Sequence, residues 1–77
     1  MTVPRAEAFR VDTRGLKCPW PVLRAARAMR EHADILLLSD DQVARTDVPA
    51  LAAAQGWTVT LRQGPDHDEY RLSRPQE

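Results

Sequence analysis

The sequence has a single cysteine, no net charge and no long hydrophobic run. With only Cys18, the chain cannot form an internal disulfide, and a location in the reducing cytoplasm is expected. The 11 basic and 11 acidic residues cancel, so composition gives no support for a net-basic nucleic-acid-binding domain. The longest run of large aliphatic residues, at 35–38, is too short for a membrane span or a secretory signal.

The 77 residues leave room for one domain of two packed layers. Because such a domain buries only a modest core, we expect its chemistry at an exposed point rather than in a deep pocket. A single domain is predicted over residues 1–77, with a core at about 8–73 and loose termini at 1–7 and 74–77.

Charge is distributed unevenly along the chain. Residues 1–30 contain seven basic and two acidic side chains, whereas residues 31–77 contain four basic and nine acidic ones. If the basic residues share one face, that face would steer an acidic partner. Alternatively, they only solvate one side of a helix, and the sequence leaves both interpretations open.

Hydrophobic periodicity and turn residues predict the element order β-α-β-α-β-β. Strand-like segments are predicted at residues 9–12, 35–38, 57–62 and 69–73. A strand, a helix and a following strand usually form a parallel unit, and the last two strands should form an antiparallel hairpin. The predicted fold class is therefore α+β, a two-layer sandwich with a four-stranded mixed sheet and two helices on one face.

Proline and glycine mark the helix ends. Pro19 and Pro21 are predicted to open the first helix, and Gly56 is predicted to cap the second. The surest part of the second helix is 47–55, with Thr46 or Asp47 as its cap; an earlier start at Asp41 is also possible. Pro49 would then lie in the first turn of that helix. The apolar stripe of the first helix is predicted to consist of Val22, Leu23, Ala26, Met29 and Ala33.

Cys18 lies between a glycine-containing loop and the proline-led helix. Helix N-termini carry partial positive charge and free N–H groups, which favour a thiolate, and Lys17 and Arg14 are close by in sequence. We therefore predict an exposed sulfur with a lowered pKa. The alternative is that Cys18 is a small buried hydrophobe, as most free cysteines are, but loop-to-helix junctions lie at the surface.

No acid–base apparatus accompanies this thiol in the sequence. His32 is about 20 Å along the first helix from Cys18, and His67 lies in the predicted hairpin loop. These three residues have no recognisable metal-ligand spacing, so no metal is predicted. A lone thiol of this kind is suited to accepting a group and passing it on by exchange with another protein's thiol or persulfide.

The stretch from Asp12 to Pro21, DTRGLKCPWP, resembles the signature Asp-x-x-Gly-x-x-Cys-Pro-x-Pro of the TusA-like (SirA-like) sulfur carriers. Residues 39–41, 47–49 and 55–57 are also similar to that family, and the resemblance covers roughly residues 8–73. It implies the β-α-β-α-β-β sandwich and a sulfurtransferase that carries sulfur as a persulfide on Cys18 without a cofactor.

The resemblance also implies partners. The donor would be a cysteine desulfurase or another sulfur donor protein, and an acceptor protein would take the sulfur towards tRNA 2-thiolation or related sulfur metabolism. Direct nucleic-acid binding and membrane binding are not expected. Trp20, Gln42 and the order Arg45-Thr46 depart from the family pattern, which leaves the pathway open.

In addition to the catalytic Cys18, two further groups of site residues are predicted. The loop-shaping residues are Asp12, Gly15, Pro19 and Pro21, and the resemblance places Gly15 where φ is unusual. The partner-binding residues are Arg14, Lys17, Trp20, Arg24, Arg27 and Arg30. Trp20 is either a partner anchor or packed against the first helix.

A second hypothesis is a non-catalytic regulatory or protein-interaction module that uses the basic face of the first helix. It predicts that Cys18→Ser keeps function, while charge reversal at Arg27 and Arg30 removes it. A sulfur carrier predicts instead that Cys18→Ser abolishes transfer and leaves the fold intact.

Overall fold

The structure is a computed structural model that describes residues 8–75. The expected loose terminus at 1–7 and the last two residues of the expected tail at 74–77 lie outside the described residues. In chain order, the elements are β1 (Phe9–Asp12), α1 (Trp20–Glu31), β2 (Asp34–Ser39), α2 (Ala44–Gln55), β3 (Thr58–Gln63) and β4 (Asp68–Ser73). The predicted element order is confirmed. None of the helices among these residues is long and apolar enough to cross a membrane.

The four strands form one mixed sheet in the order β1-β2-β4-β3. β1 pairs in parallel with β2, and β4 pairs antiparallel with both β2 and β3. The parallel unit and the final hairpin are therefore as predicted. Both helices cover one face of the sheet, which confirms the predicted two-layer α+β sandwich.

The core lies between the helices and the inward face of the two central strands. Ile35 and Leu37 of β2 and Tyr70 and Leu72 of β4 are fully buried there. Each large apolar side chain buried in this way contributes about 1.5–3 kcal/mol to folding. The helices supply mostly small residues to the same cluster: Ala25, Ala28, Ala44, Val48 and Ala52. Met29 of α1 is the one large helical side chain in it.

The buried face of α1 differs from the predicted stripe. Its buried residues are Pro21, Ala25, Ala28 and Met29. By contrast, Leu23 is 50% exposed, and Ala33 is exposed beyond the end of the helix. The prediction is right for Met29, which is buried, and for Val22, which packs against the core. It is wrong for Leu23 and Ala33, because the helix is rich in alanine, which suits either a buried or an exposed position, so the sequence alone does not fix the edges of the buried face.

The start of α2 also differs from the prediction. The helix begins at Ala44 without a side-chain cap from its N-cap residue Val43, and Thr46 and Asp47 lie inside it. Pro49 is in the second turn rather than the first. The carboxylate of Asp41 accepts the Val43 N–H at 3.2 Å, so it acts as the cap from just before the helix. The prediction for Gly56 is confirmed, with φ at +77°.

Candidate functional site

The loop between β1 and α1 is fixed to the end of β2. The N–H and the hydroxyl of buried Thr13 both donate to the carbonyl of Leu38, and the N–H bond is 2.8 Å long. Gly15 then takes a φ of +88°, a conformation that residues with a Cβ rarely adopt, and it donates its N–H to the carboxylate of Asp40 at 3.0 Å. These contacts place the next residues, including Cys18, over the junction of β2 and α2.

Cys18 is exposed at the end of this loop, which confirms the predicted exposure. Its N–H donates to Oδ2 of Asp41 at 2.6 Å, and its peptide bond to Pro19 is cis. Pro19 occupies the N-cap position of α1 and Pro21 lies in the first turn, as predicted. The backbone beside the sulfur is therefore held by one charge-assisted hydrogen bond and two prolines.

The sulfur itself faces a carboxylate. Sγ of Cys18 donates to Oδ2 of Asp47, which lies in the first turn of α2, at 3.4 Å. This hydrogen bond to a negative charge raises the pKa of the Cys18 thiol, with smaller contributions from desolvation and from the charge of Asp41. The expectation of a lowered pKa is therefore wrong, and the thiol is held in its neutral form.

The physical reason is that the groups expected to stabilise a thiolate form no hydrogen bond or ion pair with the sulfur in the described part of the chain. The Cys18 N–H is already bound to Asp41. The guanidinium of Arg14 pairs with Asp12 at 2.7 Å and holds the pKa of that carboxyl far below its usual range. Lys17 is exposed to solvent. The net local field at the sulfur is thus set by two aspartates from beyond β2.

The remaining predicted partner-binding residues lie on the surface of α1. Trp20 is 53% exposed, so its ring is accessible two residues beyond Cys18. The other members are also exposed: Arg24, Arg27 and Arg30. The structure brings none of these residues into contact with the sulfur through a hydrogen bond or ion pair within residues 8–75.

The two histidines lie away from the thiol. His32 is at the C-terminal end of α1, the end opposite Cys18, where its ring stacks on Phe9 with centroids 3.8 Å apart. His67 lies in the β3–β4 hairpin, with Nε2 3.5 Å from Glu69. Across residues 8–75, no group of three or more His, Cys, Asp or Glu side chains is arranged to hold a metal ion.

The surface around Cys18 is a shallow depression between α1 and α2. Its walls include Pro21, Asp41, Ala44 and Asp47. A substrate cannot be enclosed in so shallow a site, so the reacting group has to be presented by another molecule. A neutral, accessible thiol beside a carboxylate can take part in thiol exchange once its proton is removed.

The fold and this site define a small α+β protein with one surface thiol held at a loop-to-helix junction. The family model described as Sulfurtransferase TusA matches residues 9–73, and the chain belongs to this family. This confirms the resemblance drawn from the Cys18 motif. Membership supports a role in sulfur transfer in general.

Two similar proteins agree with this assignment. A candidate sulfur carrier protein from Archaeoglobus fulgidus is 45% identical over 49 residues, or 60% of this chain, and the match spans 64% of that relative's length. The crystal structure of a SirA-like protein from Desulfitobacterium hafniense matches with a TM-score of 0.77 and 22% identity, over 88% of this chain and 99% of that one. The second comparison shows a shared fold.

Sequence reasoning missed four residues that build the site. Thr13 is not singled out by the sequence, and residues 39–41 and 47–49 are noted only for their similarity to the family. Asp41 is considered only as a possible start of α2 and Asp47 only as a helix cap. The predicted topology could have indicated Asp40 and Asp41, because parallel strands end at the same edge of a sheet. Residues that follow β2 therefore meet the loop that follows β1.

Proposed function

We propose that this protein is a sulfur carrier that accepts sulfur as a persulfide on Cys18 and transfers it to an acceptor protein. The observation that carries the proposal is the accessible Cys18 sulfur, with its backbone fixed by Asp41 and its S–H directed at Asp47. Family membership supports sulfur transfer as the general activity. The shallow surface around the thiol favours a protein as the source of the sulfur.

The loading step is an exchange between a donor persulfide, R–S–SH, and the Cys18 thiol. Sγ attacks the terminal sulfur of the donor, a new S–S bond forms, and the donor's own S–S bond breaks. The electron pair of the broken bond leaves on the donor sulfur. Asp47 accepts the Cys18 proton as Sγ attacks, and that proton then passes to the donor thiolate. The products are R–SH and Cys18–S–SH, with no net oxidation and no cofactor.

The delivery step reverses these roles. An acceptor thiolate attacks the terminal sulfur of the Cys18 persulfide, and Sγ departs with the electron pair of the broken bond. The proton that the acceptor thiol has lost passes through Asp47 to Sγ and restores the neutral thiol, the form that the neighbouring carboxylate favours. The carrier is then ready for another cycle.

The proposed donor is a cysteine desulfurase or another protein persulfide, and the proposed acceptor is a further sulfur-relay protein of the cytoplasm. tRNA 2-thiolation and related sulfur metabolism are the proposed destinations. The half-exposed Trp20, which departs from the family pattern, is positioned to contact either partner beside the sulfur.

The test is a reconstituted transfer. The protein is incubated with a cysteine desulfurase, pyridoxal phosphate and cysteine carrying radiolabelled sulfur. Label should move from the desulfurase to wild-type protein and be released by a reductant, while Cys18→Ser should receive none and keep its circular dichroism spectrum. Label that reaches both proteins equally, or neither from any protein donor tested, would contradict the proposal. A non-catalytic interaction module instead predicts that Cys18→Ser retains full function.

A further inference from the structure

A second concave surface lies between the edge strand β1 and helix α1. It is a groove of about 430 Å³ that does not include Cys18. Phe9, Val11 and Ala28 give it apolar walls, and Phe9 is 46% exposed there. Three arginines also line it: Arg10, Arg24 and Arg27. The transfer chemistry proposed for Cys18 does not use this groove.

The strand side of the groove has an open hydrogen-bonding edge. Among the described residues, β1 pairs only with β2. The Thr13 N–H donates to Leu38 on the β2 side. Because backbone groups alternate in direction along a strand, the N–H and C=O groups of Arg10 and Asp12 point to the open side. A further strand could pair there without displacing any strand of the sheet.

The charge around the groove is incompletely compensated. Within residues 8–75, none of the three arginines forms an ion pair or a side-chain hydrogen bond. The carboxylate of Asp12, which also lines the groove, is already bound to Arg14. Glu31 lies at the far end of the groove, in the last turn of α1. The surface is therefore complementary to a partner with several carboxylates.

We propose that this groove binds an extended acidic segment of a partner protein. The segment would add to the open edge of β1 as a further strand, a recognised mode of peptide binding, and would place carboxylates against Arg10, Arg24 and Arg27. Arg24 lies four residues beyond Trp20, the first residue of α1, or about 6 Å along the helix axis, and Cys18 lies just before that helix. A partner held in this groove would therefore have other parts of its surface within reach of the thiol.

The experiment is an NMR titration of the full ¹⁵N-labelled chain with an octapeptide of alternating glutamate and valine. We expect the Arg10 and Asp12 amides to shift and to exchange more slowly with solvent. Arg24→Glu combined with Arg27→Glu should weaken binding about tenfold or more, as expected for two reversed surface charges. Arg62→Glu combined with Arg74→Glu is the matched control, because both residues are exposed and neither lines the groove, and it should change the affinity less than about twofold.

Several results would overturn the inference. They are no binding of the peptide, binding without slowed exchange at Arg10 and Asp12, an equal loss in the control variant at Arg62 and Arg74, and equal binding of the matched lysine–valine peptide. Tighter binding of a single-stranded RNA to the same amides would also overturn it, since the groove would then serve nucleic acid. Both variants should keep the wild-type rate of Cys18 alkylation. This measurement distinguishes the loss of peptide binding in the groove from a loss of the fold or of thiol reactivity.

Discussion

Asp47 places a carboxylate oxygen 3.4 Å from the sulfur of Cys18, although the two residues are 29 positions apart in the chain. The carboxylate raises the thiol pKa, so the unloaded protein presents a neutral thiol rather than a thiolate. Such a thiol reacts slowly with adventitious electrophiles, because the thiolate is the nucleophile. Its activation then depends on proton transfer to Asp47 when a sulfur donor is in place.

The first prediction concerns Asp47→Asn. Removing the negative charge should lower the Cys18 pKa, so the pH profile of alkylation by iodoacetamide should move to lower pH and the rate at neutral pH should rise. Sulfur transfer from a protein persulfide should nevertheless slow by about tenfold or more, because the proton acceptor is lost. Asp66→Asn, an exposed hairpin substitution, is the control and should alter neither rate. An unchanged alkylation profile in Asp47→Asn would contradict this account of the thiol.

The second prediction concerns Asp41, which is 8% exposed and accepts the N–H groups of both Cys18 and Val43. Asp41→Ala leaves these donors without their acceptor and should lower the free energy of unfolding by about 1–3 kcal/mol. Chemical denaturation measures the loss. Asp41→Asn, which keeps an acceptor oxygen, should recover part of it, and Asp40→Ala should cost less because Asp40 is exposed. Equal stability of Asp41→Ala and wild type would show that these bonds do not hold the loop.

The third prediction is an alkaline instability caused by Tyr70. Its hydroxyl is buried without a hydrogen-bond partner among residues 8–75, and burial raises its pKa from 10.0 to about 12. A raised folded-state pKa means that the unfolded chain ionises first, so this contribution to stability is complete below about pH 10 and is lost as pH rises towards 12.

Tyr70→Phe tests this prediction. The variant should be at least as stable as wild type at neutral pH and should lose less stability between pH 10 and 12. Tyr70 is the only tyrosine, so ultraviolet absorbance of tyrosinate reports its ionisation directly. Ionisation of the folded protein at the ordinary pKa, together with identical alkaline unfolding of wild type and variant, would refute the assignment.

The fourth prediction tests whether Leu23, like Met29, belongs to the buried face of α1. Met29→Ala should cost about 2–5 kcal/mol, because Met29 is 2% exposed in the core. Leu23→Ala should change stability by no more than about 0.5 kcal/mol, because half of that side chain is in solvent. Thermal or denaturant unfolding of the two variants gives the comparison. A large loss in Leu23→Ala would instead support the stripe predicted from periodicity.

The order of the elements was predictable because its signals are local. Val11, Val59 and Leu72 alternate with polar residues in their strands, and Gly56 with positive φ marks the end of α2. The buried face of α1 was predictable only in part, because alanine fits either face of a helix: Met29 is buried as predicted, whereas Leu23 is exposed. The sequence leaves the start of α2 open between Asp41 and residues 46–47. The structure places Asp41 just before the helix, where its carboxylate accepts the Val43 N–H.

The candidate site also has features that the local sequence predicts and one that it does not. Cys18 and its exposure follow from the residues beside it, namely Gly15 and the prolines. The protonation state of the sulfur does not, because Asp41 and Asp47 come from 23 and 29 residues further along the chain. The parallel pairing of β1 and β2 brings Asp41 to the loop, and the packing of α2 beside the loop brings Asp47. Their negative charge at the thiol outweighs the local helix-terminus effect.

The most direct test of the central claim is the mass of the protein after exposure to a protein persulfide donor. Intact mass spectrometry should show the gain of one sulfur atom on wild type, and fragmentation should locate it on the peptide that contains Cys18. The addition should disappear on reduction and should be absent from Cys18→Ser. A wild-type protein that gains no sulfur while its donor is demonstrably loaded, or a Cys18→Ser protein that gains the same mass, would contradict the role of Cys18 as the sulfur carrier.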